Sequence, residues 1–149
     1  MPAAPTHGYA HRIDVQAPPE LVWRALIEPP LLVEWYGPEA RVTARAGGSY
    51  WIRVDAELVR EAHIDVFEPG RRLRLIYMPQ PELPSTESVI VDDFLIDSDP
   101  LSTSVRLLGS GYPEEEGWDR FYLRLRRGWP LALARLKVAL ERRPKETAS

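Results

Sequence analysis

The sequence predicts an α+β domain, a curved antiparallel sheet of six or seven strands around one long C-terminal helix, with two short helices after the first strand. Three observations lead there. Apolar residues recur with a period of two through most of residues 41–108, as in half-buried strands. Beyond residue 114 the period becomes helical, and Trp118, Phe121, Tyr122, Leu125, Trp129, Leu133, Leu136 and Leu140 form one stripe. Proline and glycine pairs punctuate the chain between these runs.

Residues 9–15 open the chain as a strand, with Ile13 and Val15 on one face. Ala17-Pro18-Pro19-Glu20 then starts a helix, because proline suits the first turn and an acid suits the positive end of the dipole. Glu28-Pro29-Pro30 ends it, since a residue before proline is driven out of the helical region. Residues 31–35 form a second short helix, closed by Gly37-Pro38. A strand over 41–46 turns at Gly47-Gly48 and returns over 49–54, with Tyr50, Ile52 and Val54 inward. The next inward set is Ala62, Ile64 and Val66, before the turn at Glu68-Pro69-Gly70. Leu73, Leu75 and Tyr77 follow on a further strand, residues 79–84 form a proline-rich loop, and strands over 87–96 and 102–108 complete the sheet. In the final helix Gly128 and Pro130 are expected to kink or divide it. Burying its stripe in the concave face of the sheet satisfies both apolar surfaces at once.

A chain of 149 residues suits a single domain, with its ordered core over about 9–143. It has no cysteine, which excludes thiolate chemistry and disulfides and suits a reducing cytoplasm, the expected location. Residues 1–11 lack the basic start and apolar centre of a signal peptide, and no apolar run reaches membrane-spanning length. The net charge of -3 argues against a general nucleic-acid partner. The three histidines offer no metal-binding arrangement, and no cofactor motif is present.

The stretch Val15-Gln16-Ala17-Pro18-Pro19-Glu20-Leu21-Val22-Trp23-Arg24-Ala25-Leu26 resembles the opening of the activator-of-heat-shock-protein-ATPase-like group of the START-like (SRPBCC) superfamily, in its single-domain form. Trp35-Tyr36-Gly37-Pro38, Gly47-Gly48-Ser49-Tyr50, residues 67–73 and the Gly128-Trp129-Pro130 helix are similar to its later signatures, so the likeness spans roughly residues 11–142. The resemblance implies a helix-grip fold with an apolar cavity between sheet and long helix. It implies no single chemistry, because such relatives bind lipids or hormones, cyclise polyketides, or stimulate a chaperone ATPase. Where many relatives carry a histidine near the end of the last strand, this sequence has Gly109.

The candidate ligand-binding residues are Trp35, Tyr50, Ile52, Tyr77, Asp92, Phe94, Phe121, Tyr122, Leu125 and Trp129, all on predicted inward faces. Aromatic rings there either line a cavity or fill the core. Asp92 alternates with Ile90, Phe94 and Ile96, so it points inward. It is then either a neutral acid that donates a hydrogen bond to a ligand, or an ion-pair partner of an arginine such as Arg106, or part of a bulge. On the first reading Asp92→Asn leaves stability intact. Arg120, Arg124 and Arg127 make a solvated basic line with Glu116 as a candidate partner, and Leu123, Leu131 and Val138 offer an outer patch for a homodimer. The leading function is binding of a small hydrophobic or amphipathic molecule. The alternatives are a cyclase or hydrolase using an acid or tyrosine in the cavity, and a co-chaperone for a heat-shock-protein ATPase.

Overall fold

A computed structural model describes residues 5–143. The elements run β1 (Thr6–Val15), α1 (Pro19–Ile27), α2 (Pro29–Leu32), β2 (Glu39–Val42), β3 (Ser49–Arg53), β4 (Val59–Glu68), β5 (Arg72–Tyr77), β6 (Val91–Ser98), β7 (Thr103–Pro113) and α3 (Glu116–Glu141). The strands form one antiparallel sheet in the order β1-β7-β6-β5-β4-β3-β2. The expected α+β architecture is therefore the observed one. No helix among the described residues is long and apolar enough to cross a membrane.

The helix pair after β1 follows from two prolines. In a continuing helix the carbonyls of Ala25 and Leu26 would accept from residues 29 and 30, but both are proline and carry no N–H. Side chains supply the missing donors. The Trp35 indole N–H donates to the Ala25 carbonyl at 2.9 Å, and the Tyr50 hydroxyl donates to the Leu26 carbonyl at 2.7 Å. These bonds fasten α1 to the sheet and to the turn that follows α2.

Two bulges reset the alternation within the sheet. In β4 the register shifts between Ile64 and Val66, so Phe67, not the expected Val66, packs on the core after Ile64. In β7 the residues Ser110 and Gly111 together face Gly8, and Gly111 has a φ of 86°. Only glycine takes that conformation cheaply. The extra residue turns Tyr112 inward although simple alternation from Leu107 would point it out. The last strand thus runs to Pro113, well past the expected 108, and β6 begins at Val91 instead of 87.

α3 is a single 26-residue helix, undivided at Pro130. The carbonyl that Pro130 leaves open, that of Arg126, is approached by the His11 imidazole from β1. Its buried face carries Trp118, Tyr122, Leu125, Trp129, Leu133, Leu136 and Leu140, the stripe read from the sequence with Phe121 at its margin. Trp129 sits at the centre. Its ring meets Phe94 of β6 edge-on at 5.7 Å and Tyr36 at 5.1 Å, and its N–H donates to the Tyr9 hydroxyl at 3.0 Å. Trp129→Ala should therefore cost about 3–5 kcal/mol in urea unfolding. A loss under about 1 kcal/mol would mean that the indole does not hold α3 to the sheet.

Candidate functional site

Five neighbouring strands each place one polar group on the concave face. β4 contributes Arg60, β5 Tyr77, β6 Asp92, β7 Tyr112 and β1 Tyr9, and together they form one hydrogen-bonded cluster beneath α3. Arg60 Nη1 donates to Asp92 Oδ2 at 2.9 Å, and Nη2 donates to the Tyr112 hydroxyl at 2.9 Å. Tyr77 donates to Asp92 Oδ2 at 2.8 Å and Tyr9 to Oδ1 at 2.5 Å. Because the Tyr9 proton is committed to Asp92, its oxygen accepts from Trp129 and from Tyr112, which lies 3.0 Å away. Asp92 is 0% exposed and Arg60 2%. The guanidinium also lies 3.7 Å over the Tyr77 ring, in cation–π range.

Gly109 makes the cluster possible. It pairs with Asp92 on one side and Tyr9 on the other, so it lies between them in the sheet. A Cβ at Gly109 would stand 2.4 Å from the Tyr9 ring. The bare backbone lets that ring cross β7 and reach the carboxylate.

Asp92 points inward as alternation required, but its role differs from the neutral donor. Every group around it is a donor, so the carboxylate accepts on both oxygens and has no proton to offer a ligand. Its partner is Arg60, not Arg106, which lies near Asp97 instead. Arg60 was legible in outline. It alternates with Leu58, Ala62 and Ile64, and extending that strand by two residues places it inward. Tyr112 was hidden by the β7 bulge. Tyr36 lay in view, beside Trp35.

Two cavities flank the cluster, and Arg60 walls both. One, of about 230 Å³, opens between the β3–β4 turn and the middle of α3, against Tyr36, Leu58, Leu125, Gly128, Trp129 and Ala132. The other, of about 380 Å³, lies under the 78–90 loop against Tyr77, Ile90, Trp118 and Phe121. Of the ten candidates, Leu125 and Trp129 thus line the first cavity and Tyr77 and Phe121 the second. The others line neither. Trp35 and Tyr50 hold α1, while Ile52 and Phe94 lie within the packed core. Tyr122 stacks on His7 and donates to the Gly8 carbonyl, and Asp92 is sealed beside Arg60. The aromatic interior is thus mostly packing, with open space on either side of the ion pair. Arg124, expected on a solvated basic line beside Glu116, instead pairs with Asp55 and Glu57 at the mouth of the first cavity. Among the described residues no group of three or more His, Cys, Asp or Glu is placed to hold a metal ion.

Burial raises the phenol pKa of Tyr9, Tyr36, Tyr50, Tyr77 and Tyr112 above the usual value near 10, and for Tyr9 the nearby Asp92 charge adds to this.

The profile of the family described as Activator of Hsp90 ATPase homolog 1-like protein matches residues 16–141. Comparison with curated protein sequences gives no match. The fold is similar to that of protein MLL2253 from Mesorhizobium loti, at 25% identity, with 93% of this chain and 99% of that chain covered and a TM-score of 0.80. It is also similar to the Aha1 dimer from Colwellia psychrerythraea, at 21% identity, 91% and 97% coverage and a TM-score of 0.77. DynU16, a protein of the dynemicin biosynthetic locus, aligns at 19% identity over 91% of this chain and 47% of its own, with a TM-score of 0.74.

Two outcomes are expected from the cluster. Asp92→Asn leaves Arg60 buried without its counter-charge, so chemical denaturation should show a loss of about 3–5 kcal/mol, opposite to the outcome for a neutral acid. Unchanged stability would refute the ion pair. For the five tyrosines the folded protein holds protons that the unfolded chain releases above pH 10, so stability is full below that value and falls as pH rises beyond it. Phenolate absorbance should accordingly appear together with loss of tertiary structure. Phenolate formation from these five in the intact fold near pH 10 would contradict their burial.

Proposed function

The chain belongs to the family of Activator of Hsp90 ATPase homolog 1-like proteins, and on that premise we propose that it binds a small hydrophobic or amphipathic molecule between its sheet and α3. One observation carries the reading. Gly128 lies in the interior of α3, where glycine costs up to about 1 kcal/mol relative to alanine, yet a Cβ there would meet no atom within 4 Å. Packing does not demand the glycine. Its bare backbone forms part of the wall of the α3 cavity, beside Leu125, Trp129 and Ala132. A helix that gives up stability at this position keeps space open there.

The cavity has the composition of a binding site, with apolar walls and few polar groups. Its mouth lies beside the Arg124–Asp55 contact, an exposed ion pair whose small energy permits opening. A cyclase or hydrolase using Asp92 is disfavoured, because that carboxylate is out of reach and both its oxygens are engaged. Tyr77 reaches the second cavity but donates its hydroxyl to Asp92, and burial keeps the phenol protonated. A homodimer through the exposed Leu123, Leu131 and Val138 of α3 is compatible with this reading, and the Aha1 relative from Colwellia psychrerythraea is a dimer.

Substitutions at Gly128 separate these effects. Gly128→Ala should raise unfolding stability by up to about 1 kcal/mol, while Gly128→Phe should fill the cavity and leave the fold intact. Native mass spectrometry of freshly purified wild-type protein should show a small-molecule adduct that is lost on denaturation and absent from Gly128→Phe. A bare mass for the wild type, or an adduct that Gly128→Phe retains, would contradict binding in this cavity.

A further inference from the structure

Two arginines stand at the mouth of the α3 cavity, and only one of them has a counter-charge. Arg124 pairs with Asp55 and Glu57. Arg135 lines the same cavity, is exposed to solvent, and pairs with no acid among the described residues. Its own helix offers none, because the positions three and four residues away hold Leu131, Ala132, Val138 and Ala139. Lys137 on the same helix shows the alternative, with Glu141 four residues on. Glu34, the acid beside Trp35, is engaged by Arg143. Arg60, the third cation in the walls, is buried and balanced by Asp92.

The Arg135 guanidinium is nevertheless anchored. Its Nε–H donates to the Trp35 carbonyl at 2.9 Å, which ties the head group to the turn after α2. Capping that carbonyl takes one donor and no charge. Nη1 and Nη2 are left over, with no acceptor among the described residues, as a fork whose direction the Nε bond restricts. Ordering a long side chain costs rotamer entropy, and a site for an anion recovers that cost because less is lost on binding.

We propose that Arg135 receives the carboxylate of the ligand at this mouth, so that the ligand is an amphipathic monocarboxylate. The assignment rests on the binding function argued above and names its chemical class. Two parallel N–H donors match the two oxygens of a carboxylate in one plane, and one unneutralised cation calls for one negative charge. The head group keeps a solvent side there, so the desolvation that opposes buried ion pairs is small. Asp55, the acid in the lining, is itself occupied by Arg124 and by the backbone N–H groups of Glu57 and Leu58 at 2.8 and 3.0 Å. The apolar body runs inward along Leu58, Leu125, Trp129 and Ala132. Gly128 and Arg135 both line the cavity and are seven residues apart on α3, hence on one face and about 10 Å apart along its axis. That spacing sets the length from charged head to the space beside Gly128, about that of a fused pair of rings bearing a carboxylate.

Two probes of one shape test this, 2-naphthoate and the uncharged 2-naphthamide, titrated calorimetrically into the full chain and into Arg135→Gln. The variant removes the charge and keeps an N–H for the Trp35 carbonyl. Wild type should bind the carboxylate about tenfold more tightly than the amide, and Arg135→Gln should abolish that preference while leaving the amide within about twofold. Wild type alone gives an independent reading, since raising the salt from about 50 to about 500 mM should weaken the carboxylate several-fold and spare the amide. Equal binding of the two probes, or a carboxylate affinity without salt dependence, would overturn the anion assignment and leave cavity binding intact. A preference that survives in Arg135→Gln, or an equal loss of both probes, would overturn the role of Arg135. Failure of both probes to bind wild type would overturn the assignment together with the binding function beneath it.

Discussion

A guanidinium and a carboxylate without access to water must satisfy each other, and in this protein Arg60 and Asp92 do so beneath α3. Desolvating two charges costs several kcal/mol per ion, and their attraction offsets that only when the remaining donors and lone pairs are also engaged. The surrounding residues follow from this requirement. Tyr9, Tyr77 and Tyr112 supply hydroxyls from three further strands. Gly109 clears the path for Tyr9, and the β7 bulge turns Tyr112 inward. Trp129 ties the long helix to the same hydroxyl that caps the carboxylate. One ion pair thus fixes five strands and the helix relative to each other.

The same constraint positions the open space. Because Arg60 occupies the centre of the interior, the volume between sheet and helix is divided into a cavity on either side of it. Arg60 walls both. The network is thus the wall between the two cavities, and it holds that wall in place from five strands.

The periodicity of the sequence carried most of the architecture. The change from a period of two to a helical period near Gly111, and the proline and glycine turns, placed nearly every element. What alternation could not carry were the phase shifts. The bulge after Ile64 moved the inward residue to Phe67, and the bulge at Ser110–Gly111 concealed Tyr112. The inward aromatics were legible as inward, but their polar ends decide their roles. Trp35 and Tyr50 serve carbonyls orphaned by Pro29 and Pro30, a need visible in the sequence only when the helix ends are followed carbonyl by carbonyl. Asp92 was legible as a buried acid. Its partner was not, because a cross-sheet pair 32 residues apart depends on strand order, which periodicity does not encode.

The most direct measurement is a double-mutant cycle at the ion pair, with Arg60→Met, Asp92→Leu and the double variant compared by urea unfolding. If the pair is the fixed point of the structure, each single change leaves one buried charge alone and costs about 3–5 kcal/mol. The double variant should then recover most of that loss, giving a coupling of about 3 kcal/mol or more. Additive losses with negligible coupling would show that the two charges do not depend on each other and would contradict the account at its base.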